Sequence, residues 1–172
     1  AASDVYKRQG GARAGASNEK KSLYLYRRES PFVLIMIETM NDSKSRFMEL
    51  AIALSKRSVA EGGGPFGAVI VCRGEVVATG TNSVTSLNDP TAHAEVSAIR
   101  AACAAVKNFK LEECEIYSSC EPCPMCLSAI YWAGIRKVYF ANTREDAKRI
   151  GFDDSFIYDQ IPLAPSQRTI PS

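Results

Sequence analysis

The order of predicted elements indicates an α/β protein in which helices cover both faces of a mixed central sheet, a three-layer α/β/α sandwich. Two short β-branched runs around a tight turn predict an antiparallel hairpin, after which helical and strand patterns alternate along the chain. The chain has 172 residues, 46% hydrophobic and 23% charged, which fits one globular domain with a proper core.

The first predicted helix begins at an N-cap, Asp42 or Ser43, and ends at the glycines of residues 62–64. Helical spacing between apolar residues supports it. The residues predicted to face the core are Phe47, Leu50, Ala51 and Leu54.

Residues 68–72 and 76–79 are apolar, β-branched runs, and the Arg-Gly pair at 73–74 between them predicts the hairpin. Residues 89–91 then break the chain. The alanine-rich stretch 93–105 favours a second helix, with its alanines facing the sheet.

The remaining elements alternate. Residues 115–119 predict a strand, 124–132 an apolar helix with proline in its first turn, and 137–141 another strand. Residues 145–149 predict a short exposed helix before Gly151. This alternation is what places helices on both faces of the sheet.

The sequence has a single histidine, His93, followed by the acid Glu95 and, further along, by Pro122, Cys123 and Cys126. One imidazole and two thiolates form a three-ligand zinc set that leaves the fourth tetrahedral position for water. This order of residues is the signature of zinc-dependent base deaminases, in which the glutamate carries protons and binds no metal. The segment with His93 and the segment with Cys123 each lie at the start of a predicted helix. The positive end of a helix dipole stabilises thiolate and hydroxide. The pattern predicts one Zn²⁺ per chain.

Each half of this pattern also has a simpler interpretation. A lone histidine is usually a surface or core residue, and two cysteines at this spacing can be redox-active or structural. A closed structural zinc site needs a fourth protein ligand, for which Cys120 is the candidate. Cys120 is also predicted simply to end a strand and to pack there.

The net charge and the cysteine content limit the classes of binding partner and the cellular location that we expect. The net charge is +2 and no dense Lys/Arg run surrounds the motifs, so we expect a small-molecule substrate and no nucleic-acid partner. Six cysteines without a convincing secretory segment indicate a reducing, cytoplasmic location. The apolar run 32–37 is too short to span a membrane, and no membrane partner is expected.

The first residues form no periodic pattern. We expect residues 1–39 to be a disordered or non-native leader, Met40 to be the native start, and residues 40–172 to form the catalytic domain.

Four segments resemble the cytidine-deaminase-like superfamily and, more closely, the bacterial-type guanine deaminases. They are GGPFGAV at 63–69, NDPTAHAEV at 88–96, CEPCPMC at 120–126 and GFDDSFIY at 151–158. The first three are widespread among relatives. The fourth is narrower and is usually lacking in the similar transfer-RNA adenosine deaminases.

The resemblance implies an activity and roles for residues. His93, Cys123 and Cys126 would bind zinc, and Glu95 would move a proton from the attacking water to the ring nitrogen and the leaving amine. The reaction implied is hydrolysis of guanine at C2 to xanthine and ammonia. Guanosine deamination and transfer-RNA adenosine deamination are alternatives, and a non-enzymatic zinc module is a third.

The resemblance also implies substrate contacts. Asn82 would hydrogen-bond the heterocycle, Phe66 would stack on it, and Asp154 would meet the edge of the purine. Ala94 would offer its backbone amide and Trp132 would wall the pocket. Simpler roles are a strand-end turn for Asn82, core packing for Phe66 and Trp132, and a helix cap for Asp154.

Relatives of this type continue past the position of Ser172 into a segment that closes the active site, in bacterial members by exchange between the subunits of a dimer. The resemblance therefore implies a missing C-terminal segment and weakened activity. It also implies a homodimer, for which the apolar residues 130–133 offer an interface.

Overall fold

The computed structural model describes residues 42–170, so the predicted leader and the last two residues lie outside the described part. Four strands and six α-helices are found there, with a short 3₁₀ turn at the end. Their bounds are α1 Asp42–Ala60, β1 Gly64–Cys72, β2 Glu75–Asn82, α2 Val84–Leu87, α3 Ala94–Val106, β3 Cys114–Cys120, α4 Pro124–Ala133, β4 Lys137–Asn142, α5 Arg144–Arg149, α6 Ser155–Gln160 and the 3₁₀ turn Pro165–Gln167.

The four strands form one mixed sheet in the order β2-β1-β3-β4. The predicted hairpin pairs β1 with β2 in antiparallel fashion, and β1 also runs antiparallel to β3, with Val69 opposite Tyr117. Strand β4 runs parallel to β3, with Tyr139 opposite Tyr117. Because a parallel pair needs a crossover, α4 connects β3 to β4.

Alternate residues of the central strands point to opposite helical layers. On one face, α1 packs on β1 and β3 through Phe47, Met48, Ala51, Leu54, Val69, Val71 and Tyr117. On the other face, α3 and α4 bury a second cluster that includes Ala68, Ile70, Ala94, Ala98, Ala102, Ile116, Ile130 and Ala133. The predicted three-layer arrangement is confirmed.

Helix α3 lies very close to β2 because Gly80 has no side chain. A Cβ atom built on Gly80 would overlap the backbone of Ala94 and of Ala98. The backbone of α3 therefore packs directly against the sheet. This close packing sets the distance between the sheet and the start of the helix, where His93 and Glu95 lie.

Two details of the predicted elements are wrong. Leu50 was expected in the core but is 37% exposed, and Met48 is buried in its place, since Leu50 lies at the edge of the buried stripe of α1. Strand β1 begins at Gly64 and not at residue 68, because Gly64 already pairs with Asn82, with an irregularity in the register before Gly67. The short helix α2 was not predicted.

Cys72 and Cys114 lie opposite each other on β1 and β3 and form a disulfide, which the sequence did not predict. The other cysteines, Cys103, Cys120, Cys123 and Cys126, are free, so both predicted metal thiols remain available. Among the described residues, no helix is long and apolar enough to cross a bilayer.

Candidate active site

Two helices begin at the same place. His93 is the N-cap of α3 and Cys123 is the N-cap of α4, and both have extended backbone angles. Neither side chain makes the usual capping hydrogen bond, so imidazole and thiol are free to bind something else. The prediction that both motifs open helices is confirmed, and the positive ends of the two helices lie at the site.

Three side chains converge to form a metal site. Nδ1 of His93 lies 3.6 Å from Sγ of Cys123 and 3.5 Å from Sγ of Cys126. Zinc–nitrogen and zinc–sulfur bonds of about 2.0 and 2.3 Å at tetrahedral angles put the ligand atoms about 3.6 Å apart. The donor set and its spacing therefore fit one zinc ion.

Glu95 is buried beside this cluster, in the first turn of α3. One carboxylate oxygen, Oε1, accepts a hydrogen bond from Oγ of Ser118 at 3.0 Å. The other, Oε2, accepts one from Sγ of Cys126 at 3.3 Å. Burial raises the pKa of Glu95, which favours the protonated form of its carboxyl group.

The two cysteines of the cluster are not equivalent as acids. The hydrogen bond from Cys126 lowers the pKa of Cys123, and the bond to His93 adds to this effect. The same pairing raises the pKa of Cys126. Of the two thiols, Cys123 is therefore the one that loses its proton more readily.

Cys120 does not complete the coordination sphere. Its sulfur donates a hydrogen bond to the carbonyl oxygen of Thr143 at 3.5 Å, and burial raises its pKa, so the thiol keeps its proton. It is not one of the three residues whose ligand atoms converge, and it ends β3 as expected. The arrangement therefore favours an open, catalytic site over a closed structural one.

The metal site opens into a cavity of about 520 Å³, a volume that includes space open to solvent. The lining residues are Phe66, Asn82, His93, Glu95, Cys120, Glu121, Cys123, Arg144, Ala147, Phe152 and Asp154.

Phe66 and Asn82 both line the cavity, and their contacts with a substrate stay predictions. The ring of Phe66 lines the cavity and meets Phe152 edge-on, with centroids 5.0 Å apart. Asn82, the last residue of β2, accepts a hydrogen bond from the backbone N–H of Val84 at 3.5 Å through Oδ1. Asn82 therefore shapes the strand end and also faces the cavity.

Asp154 lines the cavity and makes no side-chain cap for α6. Its neighbour Asp153 takes that role, since its Oδ1 accepts from the backbone N–H of Ser155 at 3.0 Å and from the hydroxyl of that residue. Burial, and secondarily the thiolate of Cys123, raise the pKa of Asp154. The capping interpretation thus applies to the adjacent acid.

Two predicted contacts are not found in the cavity. Trp132 is 81% exposed near the end of α4 and does not line it, so the prediction that Trp132 walls the pocket is wrong for the described chain. The 3.6-residue period of α4 turns Ile130 and Ala133 inward and Trp132 outward. Ala94 is buried at the start of α3 and lines no part of the cavity, so its backbone contact stays a prediction.

Sequence reasoning missed two residues that line the cavity, Glu121 and Arg144, and one that lies behind it, Ser118, which hydrogen-bonds Glu95. Glu121 and Arg144 follow β3 and β4, whose parallel pairing brings their carboxyl ends to one edge of the sheet. The backbone N–H of Arg144 donates to Oε2 of Glu121 at 2.9 Å. Parallel pairing of the last two strands was the signal that could have found this pair.

A three-layer α/β fold with one imidazole and two thiolates at converging helix starts, beside a buried glutamate, defines a zinc-dependent deaminase. The family model described as the cytidine and deoxycytidylate deaminase zinc-binding region matches residues 41–142. The chain belongs to this family, and zinc is the ion that its site is built to hold.

Named relatives share this domain. Guanine deaminase from Bacillus subtilis is 54% identical over 126 residues, which cover 73% of this chain and 81% of the relative. The crystal structure of guanine deaminase from Bacillus subtilis matches with a TM-score of 0.73 at 52% identity, covering 77% of this chain and 84% of that one.

Two further proteins are similar. A transfer-RNA-specific adenosine deaminase from Aquifex aeolicus is 44% identical over 98 residues, 57% of this chain and 65% of the relative. A guanine deaminase from Nitrosomonas europaea has a solved structure with a TM-score of 0.61 at 35% identity, covering 63% of each chain.

The metal site can be tested by zinc content. We expect the purified chain to hold one zinc ion, and Cys123→Ser to lose it because one of only three protein ligands becomes a poor one. Cys120→Ser is the matched control and keeps its zinc, since its sulfur faces Thr143. Mass spectrometry of the metal gives the stoichiometry, and loss of zinc from the control would point to a closed site.

Proposed function

We propose that this chain hydrolyses guanine to xanthine and ammonia. The observation that carries the proposal is the cavity itself, whose lining includes two of the metal ligands, the carboxyl group of Glu95, an aromatic ring, an amide and a second carboxylate. This is what a deaminase of a flat, polar heterocycle requires: a metal, a proton carrier and a slot for the ring. The relationship to guanine deaminases favours guanine among such compounds.

Glu95 performs the proton transfers in this proposal. A zinc ion on His93, Cys123 and Cys126 supplies an activated water at neutral pH. The carboxylate of Glu95 would take up the first proton of the attacking water and deliver it to the ring nitrogen, and would then carry the second, from the new hydroxyl on C2, to the amine that leaves as ammonia. Burial suits Glu95 to this task because a raised pKa makes its carboxylate a stronger proton acceptor.

Three groups that line the cavity would hold the ring of the substrate. The face of Phe66 offers a stacking surface, and the amide of Asn82 offers a donor and an acceptor at the end of β2. The carboxylate of Asp154 accepts hydrogen bonds only, which matches the N–H donors at the edge of guanine. Asp154 is free for this because Asp153 caps α6.

A substrate panel tests the assignment. Ammonia release is measured with guanine, guanosine, adenine, cytosine, cytidine and a transfer-RNA anticodon stem-loop. We expect turnover of guanine. Turnover of guanosine alone would show a nucleoside deaminase, and turnover of the stem-loop alone would show the editing activity instead. If the zinc-loaded protein released no ammonia from any of the six substrates, the result would favour the non-enzymatic zinc module.

The role of Glu95 predicts a separation between metal binding and catalysis. We expect Glu95→Gln to keep its zinc, because the side chain is not a ligand, and to lose about 10²- to 10⁴-fold in kcat, because the amide cannot carry the proton. Zinc analysis and steady-state kinetics on the same preparation give both values. A zinc-loaded variant with unchanged kcat would remove Glu95 from the mechanism.

Asp153 and Asp154 form a matched pair for testing substrate recognition. We expect Asp154→Asn to lower kcat/KM for guanine about 10- to 100-fold, since a lost hydrogen bond to a charged group costs about 1.5–3 kcal/mol. Asp153→Asn keeps an acceptor for Ser155 and should change kcat/KM by less than about 3-fold. Equal effects of the two substitutions would show that Asp154 serves only the local fold.

We further propose a homodimer that uses the outer face of α4. The cytoplasmic location stays a prediction from the lack of a secretory segment, and the Cys72–Cys114 disulfide does not favour it. Tyr131 and Trp132 are 76% and 81% exposed there, an unusual exposure for two adjacent aromatic residues. Sedimentation of the full chain should give twice the chain mass, and Trp132→Glu should give monomers. The control Leu87→Glu alters a residue that is 66% exposed on α2 and should stay dimeric.

A further inference from the structure

A buried serine on β3 holds the carboxylate of Glu95. The hydroxyl of Ser118 is 3.0 Å from Oε1 of Glu95, and both residues are buried, Ser118 with 1% and Glu95 with 5% of its surface exposed. Neither sequence motif contains Ser118. The hydrogen bond joins the centre of the sheet to the first turn of α3, across a sequence separation of 23 residues.

The two oxygens of Glu95 have different surroundings. Oε1 faces the strand and accepts from Ser118, whereas Oε2 lies 3.3 Å from Sγ of Cys126, on the side of the metal ligands. The sulfur can donate to Oε2 only as a thiol. A metal takes Cys126 as thiolate, so Oε2 then loses this donor while Oε1 keeps the hydroxyl of Ser118.

We propose that Ser118 is a positioning residue that turns Oε2 of Glu95, and not Oε1, toward the reacting water. The terminal torsion of a glutamate is broad and nearly two-fold, so burial alone does not fix the plane of the carboxylate. A hydrogen bond from a hydroxyl group on a central strand of the sheet does fix the plane of the carboxylate. The inference rests on the proposed role of Glu95 and adds the group through which the fold sets its direction.

Removing the hydroxyl should affect turnover and not binding. We expect Ser118→Ala to lower kcat for guanine about 10- to 100-fold, because the hydrogen bond to a charged group is lost and proton transfer is sensitive to orientation. KM should stay within about 2-fold and the zinc content should stay at one, since Ser118 lines neither the cavity nor the metal site. Ser118→Thr keeps a hydroxyl and should recover kcat to within about 3-fold of the wild type.

The neighbouring Ser119 is a matched control for loss of a buried hydroxyl. It is fully buried on the same strand, and its Oγ accepts from the backbone N–H of Gly67 at 3.0 Å. Because side chains alternate along a strand, Ser119 points toward α1 and away from Glu95. We expect Ser119→Ala to lower the melting temperature as Ser118→Ala does but to leave kcat nearly unchanged. Equal kcat for Ser118→Ala and the wild type, or equal losses in both alanine variants, would overturn the proposal.

A structural measurement separates this proposal from the proposed activity. Crystal structures of the zinc-loaded wild type and of Ser118→Ala should show Oε1 of Glu95 bonded to Ser118 in the first and a rotated or multiply placed carboxylate in the second. A wild type that leaves guanine unchanged contradicts the proposed function alone. An unbonded Ser118 in the zinc-loaded wild type, or an unmoved Glu95 in the variant, contradicts the positioning role alone.

Discussion

The convergence of two helix starts on three ligand atoms is the constraint on which the rest of the site depends. Helices α3 and α4 each present their N-cap residue, His93 and Cys123, at one point, and Cys126 follows one turn into α4. The overlap that any side chain at Gly80 would cause shows how closely α3 must lie on the sheet for this to happen. The fold therefore holds the three ligand atoms close to one another.

The metal ligands and the substrate cavity come from different elements of the fold. The helices α3 and α4 supply the metal ligands and Glu95, while the ends of strands and the segments that follow them supply the substrate cavity. Neighbouring residues have separate tasks: Cys120 packs while Cys123 and Cys126 face the metal, and Asp153 caps a helix while Asp154 faces the cavity. Insertion or deletion of one residue in these segments would disrupt the site, because it would put a structural side chain in the place of a functional one.

The sequence predicted those parts of the site that are marked by residues close together in the chain. The motif around His93 and the one around Cys123 each combine a ligand spacing with a helix start, and the hairpin and the layer order follow from short-range patterns. Ser118 gave no signal, because a serine inside an apolar strand reads only as a buried polar residue until Glu95 is placed opposite it. The disulfide of Cys72 and Cys114 likewise needed the strand register. Trp132 was misplaced because an apolar helix has two faces and composition alone does not say which one is buried.

Zinc K-edge X-ray absorption of the full chain tests the central claim most directly. The account predicts two sulfur ligands at about 2.3 Å and two lighter ligands, one imidazole nitrogen and one water oxygen, at about 2.0 Å. A first shell with three sulfurs would place Cys120 on the metal and close the site. That result would contradict the open coordination position on which the proposed chemistry rests.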